Sequence, residues 1–404
     1  MYLFTSESVS PGHPDKCADI ISDSIVDRYL EEDPNAKVAA EVLIAGKHIT
    51  IGGEINSSLK LYQRDFEKIV YDALLKIGYT GKSGFSREQT LYPDDIDVTV
   101  LLNRQSSEIN SGVDREDGEI GAGDQGIMFG YACAEAEEFM PAAITYSRKI
   151  CDRVYAYALN HPDQLGVDIK TQVTIDYGSK EGFLHGKPDK IDTIIVSAPY
   201  TEKTGNKRAE EIIRNIIKES GLPEDLYREE QCTVKINPSG SYVQHSALFD
   251  SGLTGRKLIV DSFGGYAPIG GGAQSGKDYT KVDRSGLYAA RWIAKHIVAA
   301  GIAEKALLQL SYAIGEAKPV SVTVDTQGTS KTSLNDEDLS LAVSGQFALT
   351  PRWIKEKFNL HLPSDESFLY ADIAAKGQVG NSAYPWEQLD ALEYFGTLKK
   401  SRDQ

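Results

Sequence analysis

The chain has 404 residues, 41% of them hydrophobic and 25% charged, and its formal net charge is -16. This length exceeds one ordinary hydrophobic core and predicts a globular protein of two or three domains. No apolar run approaches the about 20 residues that cross a bilayer, and the acidic balance without a basic stripe argues against a nucleic-acid partner. The amino-terminal segment has neither a basic nor an apolar leader region, so we expect a cytoplasmic protein without a membrane partner.

One pattern occurs three times along the chain: a polar glycine-bearing motif, an amphipathic helix and an alternating strand. The first copy runs from GHPDK to VAAEVLI, the second from GAGDQG to TQVTIDY, and the third from KDYTKVDRS to LQLSYAIG. Each copy adds a second strand and another helix candidate. We therefore predict an α+β fold of three similar sheet-plus-helix domains related by a pseudo-threefold repeat. The predicted division is 1–104, a loop at 105–121, 122–243 and 244–404.

The segment RQSSEINSGVDREDGEIGAGDQG, residues 104–126, interrupts this pattern with few large apolar side chains. It buries little surface by itself, so it is predicted to be mobile. Two interpretations are open for such a loop. It is either an exposed linker between two copies or a lid that closes over a site.

The stretch GGGAQSGKDYTKVDR contains the G-x-x-x-x-G-K spacing of a phosphate-binding loop. A P-loop is disfavoured because Asp278 stands where Ser or Thr should bind Mg²⁺, and the helical pattern begins only near Arg284. A glycine strap, residues 270–281, remains, and its two lysines suit a polyphosphate with a metal. A kinase or ATPase that transfers the γ-phosphoryl group stays an alternative, as does a non-catalytic scaffold with solvated charged faces.

Five motifs resemble, in their order and spacing, those of the S-adenosylmethionine synthetases (methionine adenosyltransferases). They are SVSPGHPDKCADIISD, GGEI, GVDREDGEIGAGDQGIMFGYA, GLTGRKLIVDSFGG and GGGAQSGKDYTKVDRS, and the resemblance spans nearly the whole chain. Two departures from the family pattern are visible. Gln274 replaces the usual Phe of the strap, and Ser241-Tyr242 replace an Arg-Phe pair beside the adenine.

The resemblance implies that the sulfur of L-methionine attacks C5′ of ATP and that the triphosphate is then hydrolysed to phosphate and pyrophosphate. A thioether has no proton to lose, so the first step needs no nucleophilic triad or general base. It needs fixed cations and metals for the leaving group, together with in-line positioning. Two Mg²⁺ ions per site and K⁺ are the cofactors that the resemblance implies.

The resemblance also implies the site residues, motif by motif. Residues expected to act in catalysis are His13, Lys170, Arg256, Lys257, Lys277 and Lys281. Residues expected to bind ATP are His13, Asp168, Lys170, Ser241, Tyr242, Asp250, Arg256, Lys257, Ala273 and Lys277. Residues expected to bind methionine are Glu54, Gln105, Asp124, Asp250 and Lys281. The expected metal ligands are Asp15 and Asp283 for Mg²⁺ and Glu41 for K⁺.

Without the resemblance, several of these residues have ordinary interpretations. Lys170 in the alternating DIKTQVTIDY would be a solvated strand residue, and Glu54 an outward-facing one. A lone histidine is more often structural, but the resemblance makes Asp15, two residues away, a metal ligand and implies that His13 donates to the departing oxygen.

Both ends of the 105–121 loop are expected at the site, because Gln105 and Asp124 are expected methionine contacts. This favours the lid, whose closure would exclude the water that competes with sulfur. Sheet faces left uncovered by the repeat favour a two-fold homodimer. The resemblance adds active sites shared between the chains, with Lys277 and Lys281 reaching in from the other chain, and assembly to a homotetramer is expected.

Overall fold

Three β-sheets with packed helices make up residues 1–104 and 118–400, which are the residues that this computed structural model describes. Gln105 and most of the predicted lid lie outside them. The strands are β1 (Leu3–Val9), β2 (Lys37–Ala45), β3 (His48–Asn56), β4 (Asp97–Arg104), β5 (Gly126–Cys133), β6 (Lys170–Asp176), β7 (Lys190–Ser197), β8 (Thr233–Ile236), β9 (Gly252–Leu253), β10 (Lys305–Tyr312) and β11 (Ser321–Asp325). The α-helices of the described residues are α1 (Pro14–Glu32), α2 (Gln63–Ile77), α3 (Ala142–Asn160), α4 (Lys180–Leu184), α5 (Gly205–Lys218), α6 (Leu258–Asp261), α7 (Val282–Ala299), α8 (Asp336–Gln346), α9 (Pro351–Phe358), α10 (Tyr370–Lys376) and α11 (Leu392–Lys400).

Each sheet joins strands from two of the three predicted domains. The first sheet has the order β4-β3-β2-β9, and its β9 comes from the start of the third predicted domain. The second sheet has the order β1-β6-β7-β8, and the third has the order β11-β10-β5. β1 and β5 therefore also pair with strands of another predicted domain. The α+β class is confirmed. The boundaries at 104, 121 and 243 stay predictions about the sequence repeat, and the sheets cross them.

Helix α1 begins in the GHPDK motif and is buried along most of its length. Pro14 lies in the first turn, where no amide donor is needed, and the His13 side chain caps the helix by accepting from the Asp15 amide at 3.1 Å. The predicted apolar face is confirmed, since Ile21 and Ile25 are fully buried. Because α1 packs on the first sheet and on α2 and α10, His13 and Asp15 lie at the end of a rigid element.

The outward face of the first sheet carries exposed leucines. Leu43 of β2, Leu101 of β4 and Leu253 of β9 are 43%, 61% and 36% exposed. Antiparallel pairing places Leu43 opposite Leu253, which puts both side chains on this face. The sequence predicts a neighbouring domain or subunit for a sheet face of this kind.

Candidate active site

The turn before α1 is fixed by hydrogen bonds and by a close backbone approach. The Ser10 hydroxyl donates to the Val167 carbonyl at 2.5 Å. A side chain at Gly12 would overlap the same carbonyl, so only glycine permits this approach. The Tyr79 hydroxyl donates to the Gly12 carbonyl at 2.6 Å. His13 is therefore presented by a turn that is held from two sides.

His13 is a buried, neutral hydrogen-bond donor. Burial, followed by the cations of Lys257 and Lys170, lowers the pKa of His13 to about 3. Its Nδ1 accepts from the Asp15 amide, so the neutral ring carries its proton on Nε2. The imidazole can thus donate from Nε2 beside two lysines without itself being charged.

A buried carboxylate gathers two cations at the start of α1. Lys257 Nζ lies 2.5 Å from Asp15 Oδ2, and Arg256 Nε lies 3.5 Å from Asp15 Oδ1. The same Oδ1 accepts from the Leu253 amide at 3.0 Å. Burial by itself raises the pKa of Asp15, but the hydrogen bonds from Lys257 and Leu253 outweigh it and hold the pKa below its usual value. This group is called the α1 cluster, and its members are His13, Asp15, Lys170, Arg256 and Lys257.

Asp168 offers a buried oxygen near the α1 cluster. Its Oδ2 accepts from the Ser246 amide at 3.0 Å, and the Tyr242 hydroxyl donates to its backbone carbonyl at 3.1 Å. Its Oδ1 is buried and has no partner among the described residues. Burial raises the pKa of Asp168 to about 6. An unpaired buried acceptor costs free energy, so this oxygen suits a hydroxyl donor from a ligand. Ser241 and Asp250, which lie on either side of Ser246 in the sequence, are exposed.

Two lysines of the strap are each paired with an aspartate. Lys277 Nζ lies 2.7 Å from Asp283 Oδ2, and Lys281 Nζ lies 2.5 Å from Asp278 Oδ2. Asp278 is fully buried and accepts from the Val38 amide at 2.7 Å, so it ties the strap to β2. Helix α7 begins only beyond the second lysine. The segment is therefore not a P-loop, as the sequence predicts. This second group is called the strap cluster, and its members are Lys277, Asp278, Lys281 and Asp283.

Strand register places three charged site residues on one sheet face. Ala39 of β2 pairs with Glu54 of β3 and forms an antiparallel bridge with Lys277. Directly paired residues point to the same face, and Glu41 follows two residues further along β2. Glu41, Glu54 and Lys277 therefore share the exposed face that also carries Leu43.

The strap is flanked at its two ends by other predicted site residues. A side chain at Gly255 would lie 2.5 Å from Ala273, so the first part of the strap packs on the loop that carries the cations of the α1 cluster. At the other end, the Gly123 amide donates to the Thr280 carbonyl at 3.0 Å. Asp124 is therefore held beside the strap, and it is exposed.

The α1 cluster and the strap cluster are separated within one chain. β9, whose Leu253 amide contacts the α1 cluster, pairs with Leu43. Lys277 pairs with Ala39, four residues away and so about 13 Å along the strand. Among the described residues no hydrogen bond or ion pair joins the two clusters.

Comparisons with known proteins identify the family. Models of the N-terminal, central and C-terminal domains of S-adenosylmethionine synthetase match residues 1–107, 119–242 and 245–388. The chain belongs to the S-adenosylmethionine synthetase family. The S-adenosylmethionine synthases of Wolinella succinogenes and Helicobacter hepaticus are 43% and 42% identical to it over 401 residues, each covering 97% of both chains. A solved S-adenosylmethionine synthetase from Campylobacter jejuni, described as unusual, is 60% identical and matches with a TM-score of 0.94 over 98% of this chain and 100% of that chain.

Membership in the synthetase family decides between the functions that the strap leaves open. The chain is a transferase, a methionine adenosyltransferase by family, and the phosphoryl-transferring kinase and the non-catalytic scaffold are excluded. Among the described residues no helix has the length and apolar character to cross a bilayer.

The predicted metal ligands of this synthetase supply one carboxylate each. Asp15 and Asp283 lie in different clusters, and the described residues hold no group of three or more His, Cys, Asp or Glu side chains arranged to chelate a metal. Mg²⁺ commonly keeps several waters and takes one or two carboxylates together with substrate phosphates. Single carboxylates beside lysines therefore fit this ion, provided that substrate and water supply the remaining ligands.

Sequence reasoning missed the buried ion pairs behind the two clusters. Lys16 lies between Asp19 and Asp261, at 3.1 and 2.6 Å, and Arg284 binds Asp23 through both of its terminal nitrogens. A signal was present in the sequence, because α1 has an aspartate at every fourth position. Charged residues are mostly exposed, so the pattern by itself indicates a solvated helix face.

Proposed function

We propose that this enzyme forms S-adenosylmethionine by attack of the methionine sulfur on C5′ of ATP and then hydrolyses the bound triphosphate to phosphate and pyrophosphate. The observation that carries the proposal is the α1 cluster, in which Arg256 and Lys257 converge on Asp15 beside a neutral His13. The departing triphosphate is highly charged, and fixed donors aimed at it are the main requirement of such a step.

His13 would donate from Nε2 to the departing oxygen or to the adjacent phosphate. Since Nδ1 is occupied by the Asp15 amide, the ring cannot rotate to present its acceptor nitrogen without losing its helix cap. Arg256 would contact phosphate oxygens with its planar guanidinium, while Lys257 and Lys170 act as point charges. Asp15 holds Arg256 and Lys257 close to His13 before substrate binds, which limits the distance that these cations must move.

The metals proposed for this site are two Mg²⁺ ions and K⁺. Asp15 and Asp283 would each hold one Mg²⁺, and Glu41 would hold K⁺. Bound Mg²⁺ would neutralise charge on the phosphate oxygens of the substrate. The chain's own lysines are then left to orient the phosphates.

The nucleoside and the amino acid are assigned to different elements. The unpaired Oδ1 of Asp168 suits a ribose hydroxyl, and Tyr242 supports it through the backbone carbonyl. Further adenosine contacts are proposed for residues on the flanking loops, which are Ser241, Asp250 and Ala273. Methionine is proposed to bind on the exposed sheet face and its lid, through Glu54, Gln105, Asp124, Asp250 and Lys281.

We propose further that each site is built by two chains of a homodimer. Within one chain the strap cluster lies about 13 Å along β2 from the contact of the α1 cluster. Glu54 and Lys277 share an exposed face that includes Leu101. We propose that a second copy covers this face and contributes its α1 cluster there. A two-fold axis would complete two sites at one interface. The expected homotetramer would add a second interface, and sedimentation velocity distinguishes it from the dimer.

Isotope labelling tests the proposed chemistry. The enzyme is incubated with methionine and with ATP that carries ¹⁸O at the 5′ bridging position, and the products are analysed by mass spectrometry. Attack at C5′ breaks the carbon–oxygen bond, so the label should leave with the phosphate chain, and unlabelled S-adenosylmethionine should form. In H₂¹⁸O, hydrolysis of the triphosphate should place one solvent oxygen per turnover in either phosphate or pyrophosphate, according to which phosphorus the water attacks. Label retained on the nucleoside, or ADP formed without a sulfonium product, contradicts the mechanism.

Mixed dimers test the shared site. His13→Ala and Lys281→Ala should each be nearly inactive alone. In a mixed dimer one site receives both changes and the other receives neither, and random reassociation makes half of the dimers mixed. Activity should then recover to about a quarter of the wild-type value. No recovery after proven subunit exchange rejects the shared site.

A further inference from the structure

Helix α1 carries an aspartate at every fourth position. These residues are Asp15, Asp19, Asp23 and Asp27. Four residues advance about 6 Å along a helix and a little more than one turn, so the four side chains follow one side of α1. Like charges at this spacing destabilise an isolated helix. Such a row therefore requires compensating contacts in the folded chain.

Each carboxylate of the row accepts from a backbone amide of a later segment. Asp15 accepts from Leu253 at 3.0 Å, and Asp19 Oδ1 accepts from Gly255 at 2.9 Å. The rise of about 6 Å between these aspartates matches the length of two extended residues, which is what separates the two amides. Segment 252–255 is thus held in register along α1, directly before Arg256 and Lys257.

The third aspartate holds the strap in the same way. Asp23 Oδ1 accepts from the Gly276 amide at 2.8 Å. Arg284, which pairs with Asp23 at 2.8 and 2.5 Å, also donates to the Lys277 carbonyl at 2.9 Å. The backbone on both sides of the Lys277 side chain is therefore fixed by one ion pair whose members are both fully buried.

The fourth aspartate also accepts from backbone amides, but they belong to a segment outside the predicted site. The Asp27 carboxylate accepts from the amides of Tyr370 and Ala371 at 2.8 and 2.9 Å. These amides begin α10, which carries no predicted site residue. Asp27 holds α10 instead of a cation-bearing segment and reaches Arg284 indirectly, through the Tyr370 ring, so it provides a control on the same helix.

We propose that Asp19 and Asp23 are positioning residues of the reaction, which set the two cation-bearing segments along α1. Asp19, which shares Lys16 with Asp261, acts through Arg256 and Lys257. Asp23, neutralised by Arg284, acts through Lys277. This inference rests on the phosphate-binding roles proposed above for those three cations. A displacement of about 1 Å at a catalytic group can lower the rate by roughly a hundredfold, so a small shift of either segment is enough to reduce activity.

The experiment compares Asp19→Ala and Asp23→Ala with Asp27→Ala in the full-length enzyme. The measurements are kcat and KM for S-adenosylmethionine formation, hydrolysis of added tripolyphosphate, and the midpoint of thermal unfolding. At assay temperatures well below their unfolding midpoints, Asp19→Ala and Asp23→Ala should lower kcat/KM for ATP by about tenfold to a hundredfold. Asp27→Ala should lower the unfolding midpoint, because two amide hydrogen bonds are lost, while kcat/KM stays within about twofold of wild type. Asparagine at position 19 or 23 keeps an acceptor oxygen for the amide and should restore part of the loss.

A double variant shows whether Asp23 acts through Lys277. Asp23→Ala added to Lys277→Ala should lower tripolyphosphate affinity, measured by calorimetry, little beyond Lys277→Ala alone, because its target is already gone. Additive losses, or equal kinetic losses in Asp27→Ala, overturn the inference. If Asp23→Ala does not fold, Asp23→Asn replaces it in the same cycle with the same two outcomes. A Lys277→Ala variant with wild-type affinity would instead reject the role proposed for that cation, which separates the two failures.

Discussion

Gly276→Ala tests whether the position of the strap depends on its close backbone contact with β2. Gly276 has a φ of 80°, in the left-handed region that side chains rarely adopt. Its amide donates to Asp23 and its carbonyl accepts from the Ala40 amide, both at 2.8 Å. A methyl group there would overlap the Ala40 carbonyl oxygen. The strap must therefore move away from β2, and Lys277 moves with it.

The expected magnitude follows from these contacts. An alanine in the left-handed conformation costs about 1–2 kcal/mol. Loss of one strap hydrogen bond adds about 1 kcal/mol, so the free energy of unfolding should fall by about 2–3 kcal/mol. Relief of the overlap displaces the strap by on the order of 1 Å, and kcat/KM for ATP should fall by roughly a hundredfold.

Gly178→Ala is the control for the backbone conformation alone. Gly178 has a φ of 68°, and a methyl group there would meet no atom within 4 Å. It should lose about 1–2 kcal/mol of stability and keep the wild-type kcat/KM. Both variants are measured by urea unfolding and by steady-state formation of S-adenosylmethionine. If Gly276→Ala is no worse than Gly178→Ala in kcat/KM, the strap does not depend on this contact with β2.

Three further substitutions give independent outcomes. Tyr79→Phe removes the 2.6 Å hydrogen bond to Gly12, so the free energy of unfolding should fall by about 1 kcal/mol and kcat should fall more than KM rises, as kinetics and urea melts will show. Asp168→Ala should raise KM for ATP about tenfold and leave KM for methionine unchanged, since its free Oδ1 is assigned to the nucleoside. Burial lowers the pKa of His245 to about 4 from 6.5, so its contribution is complete above pH 6.5 and is lost as pH falls toward 4. Between pH 7 and 5 the wild type should lose about 2 kcal/mol more stability than His245→Gln, and equal losses in urea melts would show that this histidine does not titrate as described.

Periodicity and motifs predicted the elements better than their partners. The apolar face of α1, the strand pairs of each copy and the start of α1 at GHPDK follow from local spacing and capping chemistry. The exchange of β1, β5 and β9 between sheets does not, because pairing across copies depends on long-range register. β9 has only two residues, too few for any periodic signal. In the site, motifs placed His13 and Asp15 together, but the convergence of Lys257 on Asp15 depends on how segment 252–257 lies against α1.

The pairing of lysines with predicted metal ligands leads to a prediction about binding order. Lys257 Nζ lies 2.5 Å from Asp15 Oδ2, and Lys277 Nζ lies 2.7 Å from Asp283 Oδ2. A metal that binds either aspartate competes with a lysine for that carboxylate, and a phosphate that takes either lysine removes one partner from the aspartate. Each ligand therefore relieves the cost of binding the other, and the coupling must be reciprocal.

Tripolyphosphate titrations with and without Mg²⁺ measure this coupling by calorimetry. In the wild type Mg²⁺ should raise the affinity for tripolyphosphate by about 5- to 150-fold, the usual range of such coupling. Asp15→Asn keeps an acceptor for the Leu253 amide but releases Lys257. It should therefore bind metal-free tripolyphosphate more tightly than the wild type and gain less from Mg²⁺. Since Mg²⁺ also binds tripolyphosphate in solution, the metal-free comparison decides: weaker metal-free binding by Asp15→Asn would mean that Asp15 orients Lys257 for phosphate and does not compete with it.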